Sequence, residues 1–204
     1  MDIVALQEMR LPDMGSVKEK KFSFFWQGKP SNETREHSVG FAVRNTLLRS
    51  FVPSTVGSER NLSLQLHSSA GHMHMHQHCR PQQKSKTNST MIWQLLSKKS
   101  LRESHLFILG DFNARVGADH NSWPTCLGRF GIGKMNENGK RLLEFCSFYG
   151  FCISNMFFNM KLQHRVSWRH PRSKHWHQLD LILMRHSSLP SITITQLSGC
   201  WLRY

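Results

Sequence analysis

The chain has 204 residues, 39% of them hydrophobic, and a formal net charge of +14 from 27 Lys and Arg against 13 Asp and Glu. That length suits one domain with a real core, and no apolar run approaches the roughly 20 residues that span a bilayer. The charge favours a polyanionic partner such as nucleic acid, although a merely solvated basic surface would look the same from composition alone.

Asp2 to Leu6 opens the chain with a short apolar run that reads as a buried strand, and a strand so close to Met1 implies that an upstream segment is missing. Phe22, Phe24, Phe25 and Trp26 form a second apolar patch. Val39 to Val43 reads as a strand, and Leu62, Leu64 and Leu66 alternate with polar residues at the period of a half-buried one. From Gly71 to Ser104 the character changes to a His/Met tract followed by Gln, Lys, Ser and Thr, with Glu103 as its single acid, and no regular structure is expected there. Leu106 to Leu109 reads as a buried strand. Asn136 or Asn138 can cap a helix that carries Leu142, Leu143, Cys146 and Tyr149 on one face and stops at Gly150. Cys152 to Asn155 and Leu179 to Leu183 read as two more strands. Strands interleaved with helix point to the α/β class.

The five cysteines, Cys79, Cys126, Cys146, Cys152 and Cys200, are widely spaced with no Cys-x-x-Cys pair. They indicate neither a zinc ribbon nor a disulfide framework, and with no signal peptide they read as reduced thiols of an intracellular protein. The charge suits a nuclear location, although Lys18-Glu19-Lys20-Lys21 is a poor import signal. In a strand, His72, His74, His76 and His78 would share a face and could meet Zn²⁺ or Cu²⁺. Four His on one straight strand do not easily close a tetrahedron, so adventitious binding is the better reading.

Three short signatures carry chemistry. Gln7-Glu8 ends the first strand, Gly110-Asp111-Phe112-Asn113 ends the strand at Leu106 to Leu109, and Ser167-Trp168 precedes Gln178-Leu179-Asp180. Each puts polar groups at the edge of an apolar strand, where open α/β sheets place ligand-binding groups. Singly, each could be a turn or a solvated end. Asp180 is the most informative, because a carboxylate buried in an apolar run must be paired, metal-bound or raised in pKa.

In this order the signatures resemble the Mg²⁺-dependent endonuclease/exonuclease/phosphatase superfamily. The wording is closer still to the endonuclease domains of RTE-type LINE retrotransposons and the craniofacial-development-protein-2-like group, over Asp2 to about Ala70 and Leu106 to about Thr195. The resemblance implies a four-layered α/β sandwich, here incomplete, of two packed β-sheets flanked by helices. It implies Glu8 as the metal ligand, since a hard carboxylate suits Mg²⁺. It implies Asp111 as the group that orients or deprotonates the attacking water, and Asn113 as the hydrogen-bond partner of the scissile phosphate. Asp180 would hold an essential His, and Trp168 would be structural.

Three parts of that pattern are not met. The strand bearing a site Asn should precede Asp2, a Tyr-x-Pro motif should stand on the strand after Leu66, and an Asp-His pair should follow Ile192 to Thr195. The only tyrosines are Tyr149 and Tyr204, and Gln196 to Tyr204 holds neither Asp nor His. One allowed codon set for Lys86 to Leu95 is AAG ACA AAT TCT ACG ATG ATC TGG CAA CTG. Read from its third base it gives the acidic amphipathic peptide DKFYDDLAT, which suits the helix the resemblance places there. Gln196 to Tyr204 likewise shifts to a Ser-Tyr-containing reading. The chain therefore reads as a single truncated domain over 1–204, with 71–104 as a frame-disturbed insert and 196–204 as an atypical tail. The expected function is a retrotransposon-derived DNA endonuclease-like domain with defective catalysis, weak or lost Mg²⁺ and weak non-specific DNA binding, without a membrane. The alternatives are a non-catalytic basic nucleic-acid-binding remnant and an unstable pseudogene product.

Overall fold

A computed structural model describes residues 3–34, 38–53, 61–68, 71–78 and 105–191. The chain comprises two compact units, Met1–Gly110 and Asp111–Tyr204.

In the first unit, β1 (Ile3–Gln7), β2 (Met14–Lys18), β3 (Phe22–Gly28) and β4 (Ser38–Arg44) form an antiparallel sheet in the order β1-β4-β3-β2. Central β4 is the apolar run Val39 to Val43, buried along its length, so it reads as continuous rather than alternating. The sequence expectation for β1 is met in position, although its residues are half-buried rather than fully buried. Edge strand β2 is short, mostly exposed and ends in Lys18, features that discourage further pairing.

Three more strands, β5 (Phe51–Pro53), β6 (Asn61–Ser68) and β7 (Gly71–His78), pair antiparallel in sequence, and β7 pairs in parallel with β8 (His105–Asp111). The register sets Leu62, Leu64 and Leu66 opposite Gln77, Met75 and Met73, and Met75 beside Phe107. The rows between them hold Ser63, Gln65 and His67 opposite His76, His74 and His72. The expectation of no regular structure across Gly71 to Ser104 is therefore corrected for 71–78. The alternation of His with Met has the period of two that a strand requires, and β6 and β8 supply backbone partners on both edges. The remainder of that stretch, 79–104, lies outside the described residues.

In the second unit, α1 (Glu137–Tyr149) runs between caps as its sequence directs. The Asn136 side chain accepts the N–H of Gly139, and Gly150 closes the helix in the left-handed region at φ 66°. Leu142, Leu143 and Cys146 are buried. β9 (Phe151–Ile153) pairs antiparallel with β12 (Asp180–Arg185), setting Ile153 opposite Leu183 and Cys152 opposite Met184. The strand expected over Cys152 to Asn155 is thus shorter, because Ser154–Met156 turns into a 3-10 helix. Two short strands, β10 (Trp168–Arg169) and β11 (Trp176–His177), make a hairpin that periodicity did not indicate. Cys126, Cys146 and Cys152 are buried free thiols, as reduced cysteines would be. Burial pushes the Cys152 thiol up to about 12 and Cys146 well above its ordinary value. Cys79 and Cys200 lie outside the described residues.

Candidate functional site

Glu8 belongs to the first unit, one residue past the end of β1. Its loop is tied down from several sides. The N–H of Met9 bonds the Ser38 carbonyl at 3.3 Å and that of Leu11 bonds Ser38 Oγ at 3.1 Å. Trp26 Nε1 donates to the Pro12 carbonyl at 3.2 Å. Glu8 itself sits in the left-handed region at φ 51°, as do Arg10 at 57° and Asp13 at 54°. For residues with a Cβ that conformation costs on the order of 1–2 kcal/mol, and such strain gathers at functional sites. Glu8 is half-buried.

Asp111, Asn113 and Asp180 belong to the second unit. Asp111 Oδ1 accepts the N–H of Asn113 at 2.7 Å, an Asx turn that turns the chain directly after β8. Asn113 is exposed and left-handed at φ 50°, a conformation Asn tolerates better than most residues. The start of α1 secures the same segment. Asn138 Nδ2 donates to the Asn113 carbonyl at 3.2 Å, while the N–H of Arg115 bonds Asn136 Oδ1 at 3.0 Å and the N–H of Asn136 bonds the Arg115 carbonyl at 2.9 Å. Gly139 fits here because a Cβ would collide with the Arg115 carbonyl oxygen.

Asp180 is half-buried at the first position of β12, less enclosed than a place within an apolar run suggests. Its surroundings are set by two side chains. Ser167 Oγ accepts the N–H groups of both Leu179 and Asp180 at 3.1 Å each. Asn155 is buried, donates Nδ2 to the Asp180 carbonyl at 3.3 Å and accepts the N–H of Ile182 on Oδ1 at 3.2 Å. The N–H of Phe112 bonds the Leu179 carbonyl at 3.2 Å, so the Asp111–Asn113 turn and the Asp180 strand start are joined through backbone. Sequence reasoning missed Asn155. Its only signal was a polar residue ending an apolar strand.

Trp168 is not a core residue. It is 39% exposed on the hairpin, edge-on to His170 at 5.3 Å and tilted against His177 at 5.7 Å. The hairpin tip is ordered by His170, whose Nδ1 accepts the N–H groups of Arg172 at 3.2 Å and Ser173 at 3.1 Å. Arg169 lies over the Trp176 ring at 5.7 Å and bonds the Lys174 carbonyl at 3.0 Å. Arg169, Arg172, Lys174 and His175 are exposed. Burial first, then the charges of Arg115, His170 and His175, push the His177 imidazole below its ordinary value. The hairpin is thus a surface where positive charge crowds beside aromatic rings.

Among the described residues no three His, Cys, Asp or Glu side chains gather into a metal cluster, and no helix is long and apolar enough to cross a membrane.

No protein-family profile matches the chain. In sequence it is similar to craniofacial development protein 2 of Bos taurus and of Tragulus javanicus, 25% identical to each over 189 residues. The match covers 91% of this chain and 31% and 32% of those proteins, so the chain spans about a third of their length. In structure it is similar to the endonuclease domain of TRAS1, a telomere-specific non-LTR retrotransposon, with a TM-score of 0.56 and 12% identity. That likeness covers 82% of this chain and 69% of the TRAS1 chain.

Proposed function

Since the chain carries the endonuclease/exonuclease/phosphatase fold and is related in sequence to craniofacial development protein 2, we propose that this nuclease-like domain binds DNA non-specifically and has lost efficient phosphodiester hydrolysis. The hairpin from Trp168 to His177 carries the DNA half of this reading. Its exposed cations can neutralise phosphates, and its tryptophans offer faces that stack on bases or cations. It displays no carboxylate of its own.

The chemistry half follows from the residues kept and replaced. Asp111 is the group that would orient an attacking water, Asn113 the donor to a phosphate oxygen, and Asp180 the carboxylate that would hold an imidazole. Glu8 offers Mg²⁺ one hard oxygen donor. The residues present fit no more than a water-rich, one-carboxylate Mg²⁺ site. When bound, Mg²⁺ would supply Lewis-acid charge stabilisation.

Where the resemblance calls for Tyr-x-Pro, the chain has β7 with its His/Met tract, and the residues directly after Ile192 to Thr195 hold no Asp-His pair. Frame disturbance accounts for the first change. One allowed codon set for Met73 to Cys79 is ATG CAT ATG CAC CAA CAC TGC, which read from its third base gives Ala-Tyr-Ala-Pro-Thr-Leu. That is the same phase as the acidic reading of Lys86 to Leu95, so one shift covers both. Sequencing gene and transcript tests this step. The same tract encoded in an undisturbed frame in close relatives would refute it.

A titration of the chain against two unrelated duplexes at several salt concentrations tests the function. Equal affinities that fall steeply with salt support it, and a sequence-specific complex that persists at high salt refutes it.

A further inference from the structure

Gln178 lies in the link between β11 and β12 and is 4% exposed. Both Nε2 and Oε1 of its carboxamide are buried, and among the described residues neither has a hydrogen-bond partner. The backbone on both sides of it is hydrogen-bonded. The His177 carbonyl accepts the N–H of Ser167 at 2.9 Å, and the Leu179 carbonyl accepts the N–H of Phe112 at 3.2 Å. The N–H groups of Leu179 and Asp180 both go to Ser167 Oγ at 3.1 Å. These bonds hold the link on both sides of Gln178.

A carboxamide brings two donors and an acceptor into the interior, and leaving them unpaired is costly. Asn155 shows the ordinary solution nearby, because both ends of its amide are used on the backbone of β12. Protein interiors meet such a demand in a second way, with an ordered water that makes two to four hydrogen bonds. Water suits Gln178 because it is small, uncharged and able both to accept from Nε2 and to donate to Oε1, which no monatomic ion and no apolar group can do.

We propose that Gln178 is a positioning residue whose carboxamide holds a buried water molecule at the β11–β12 link and so helps to fix Leu179 and Asp180. The use of Asp180 in a nuclease-like site rests on the function proposed above, whereas the water itself does not. The test uses the full ¹⁵N-labelled chain without DNA. The side-chain Nε2 protons of Gln178 are expected to show rotating-frame cross-peaks to a long-lived water. In Gln178→Met, which keeps the volume and removes the amide, the Leu179 and Asp180 amides are expected to exchange about tenfold faster, with a lower melting temperature. Two results overturn the proposal: no such cross-peaks in the wild-type chain, or a Met variant that melts higher with exchange unchanged, since removing a truly unpaired buried amide relieves a desolvation cost. If the Met variant does not fold, the wild-type cross-peaks alone decide. Failure of the nuclease-like reading would leave these spectra untouched.

Discussion

Phe112 gives its backbone N–H to the carbonyl of Leu179 at 3.2 Å, and that bond joins two segments lying 67 residues apart in sequence, each with a carboxylate next door. Asp111 precedes Phe112 and Asp180 follows Leu179. The side chains that brace this junction, Ser167, Asn155 and Asn136, are uncharged and act mainly on backbone groups, so they can be removed without altering the charge of the site.

Ser167→Ala is expected to destabilise the second unit by about 1–3 kcal/mol, because it removes the hydroxyl oxygen that accepts from two backbone N–H groups at the start of β12. Thermal melting checks this, with a fall of several degrees expected. An unchanged melt would show that water replaces the hydroxyl at no cost.

Gly139→Ala sets two effects against each other. Alanine favours a helix interior by about 1 kcal/mol over glycine. The new Cβ would strike the Arg115 carbonyl oxygen, a backbone atom held by Asn136, and overpacking of that kind costs about 1–3 kcal/mol or more. The collision wins, and chemical denaturation should show a net loss of stability. A more stable variant would mean that the α1 contact with Arg115 gives way easily.

Stability should also fall in alkali. Cys152 has its folded value raised to about 12 and Cys146 is raised well above its ordinary value, in both cases chiefly by burial. A raised folded value stabilises fully below the unfolded value, about 8.5, and that contribution is lost as pH rises through the folded one. The denaturation midpoint is expected to drop progressively above about pH 9, with the drop reduced in a Cys152→Ala chain. An identical alkaline profile in that variant would assign the loss to other groups.

On the hairpin, alanine at Arg169, Arg172 or Lys174 is expected to weaken every DNA sequence alike and to lower the magnitude of the salt slope by about 1 for each phosphate that is no longer neutralised. Fluorescence titrations across salt concentrations read both quantities. A variant that changes sequence preference and leaves the slope intact would make the hairpin a base reader.

Much of this architecture was legible in the chain. The run Val39 to Val43, the Leu106 to Leu109 strand, and α1 with Asn136 before it and Gly150 after it all follow from local pattern and capping chemistry. The hairpin was not, because two-residue strands leave no period to read, and β7 was obscured because His is a poor guide to burial. The candidate carboxylates stand at strand ends, a place that alone marks only turns or solvated ends, and their roles came from the resemblance. Their supports could not, since Ser167 and Asn155 act across 12 to 27 residues of sequence and only the register of β12 shows what they hold.

The most direct test of a DNA-binding domain with lost hydrolysis is plasmid nicking by the wild-type chain beside Asp111→Ala, with and without Mg²⁺. A missing acid–base partner costs about 10²–10⁴ in rate, and each lost charge-stabilising donor about 10²–10³. Such losses do not simply add, but together they bring turnover near background. Both chains are expected to shift the plasmid in a gel, and neither is expected to nick it above the Mg²⁺-free control. Robust Mg²⁺-dependent nicking that Asp111→Ala abolishes would contradict it.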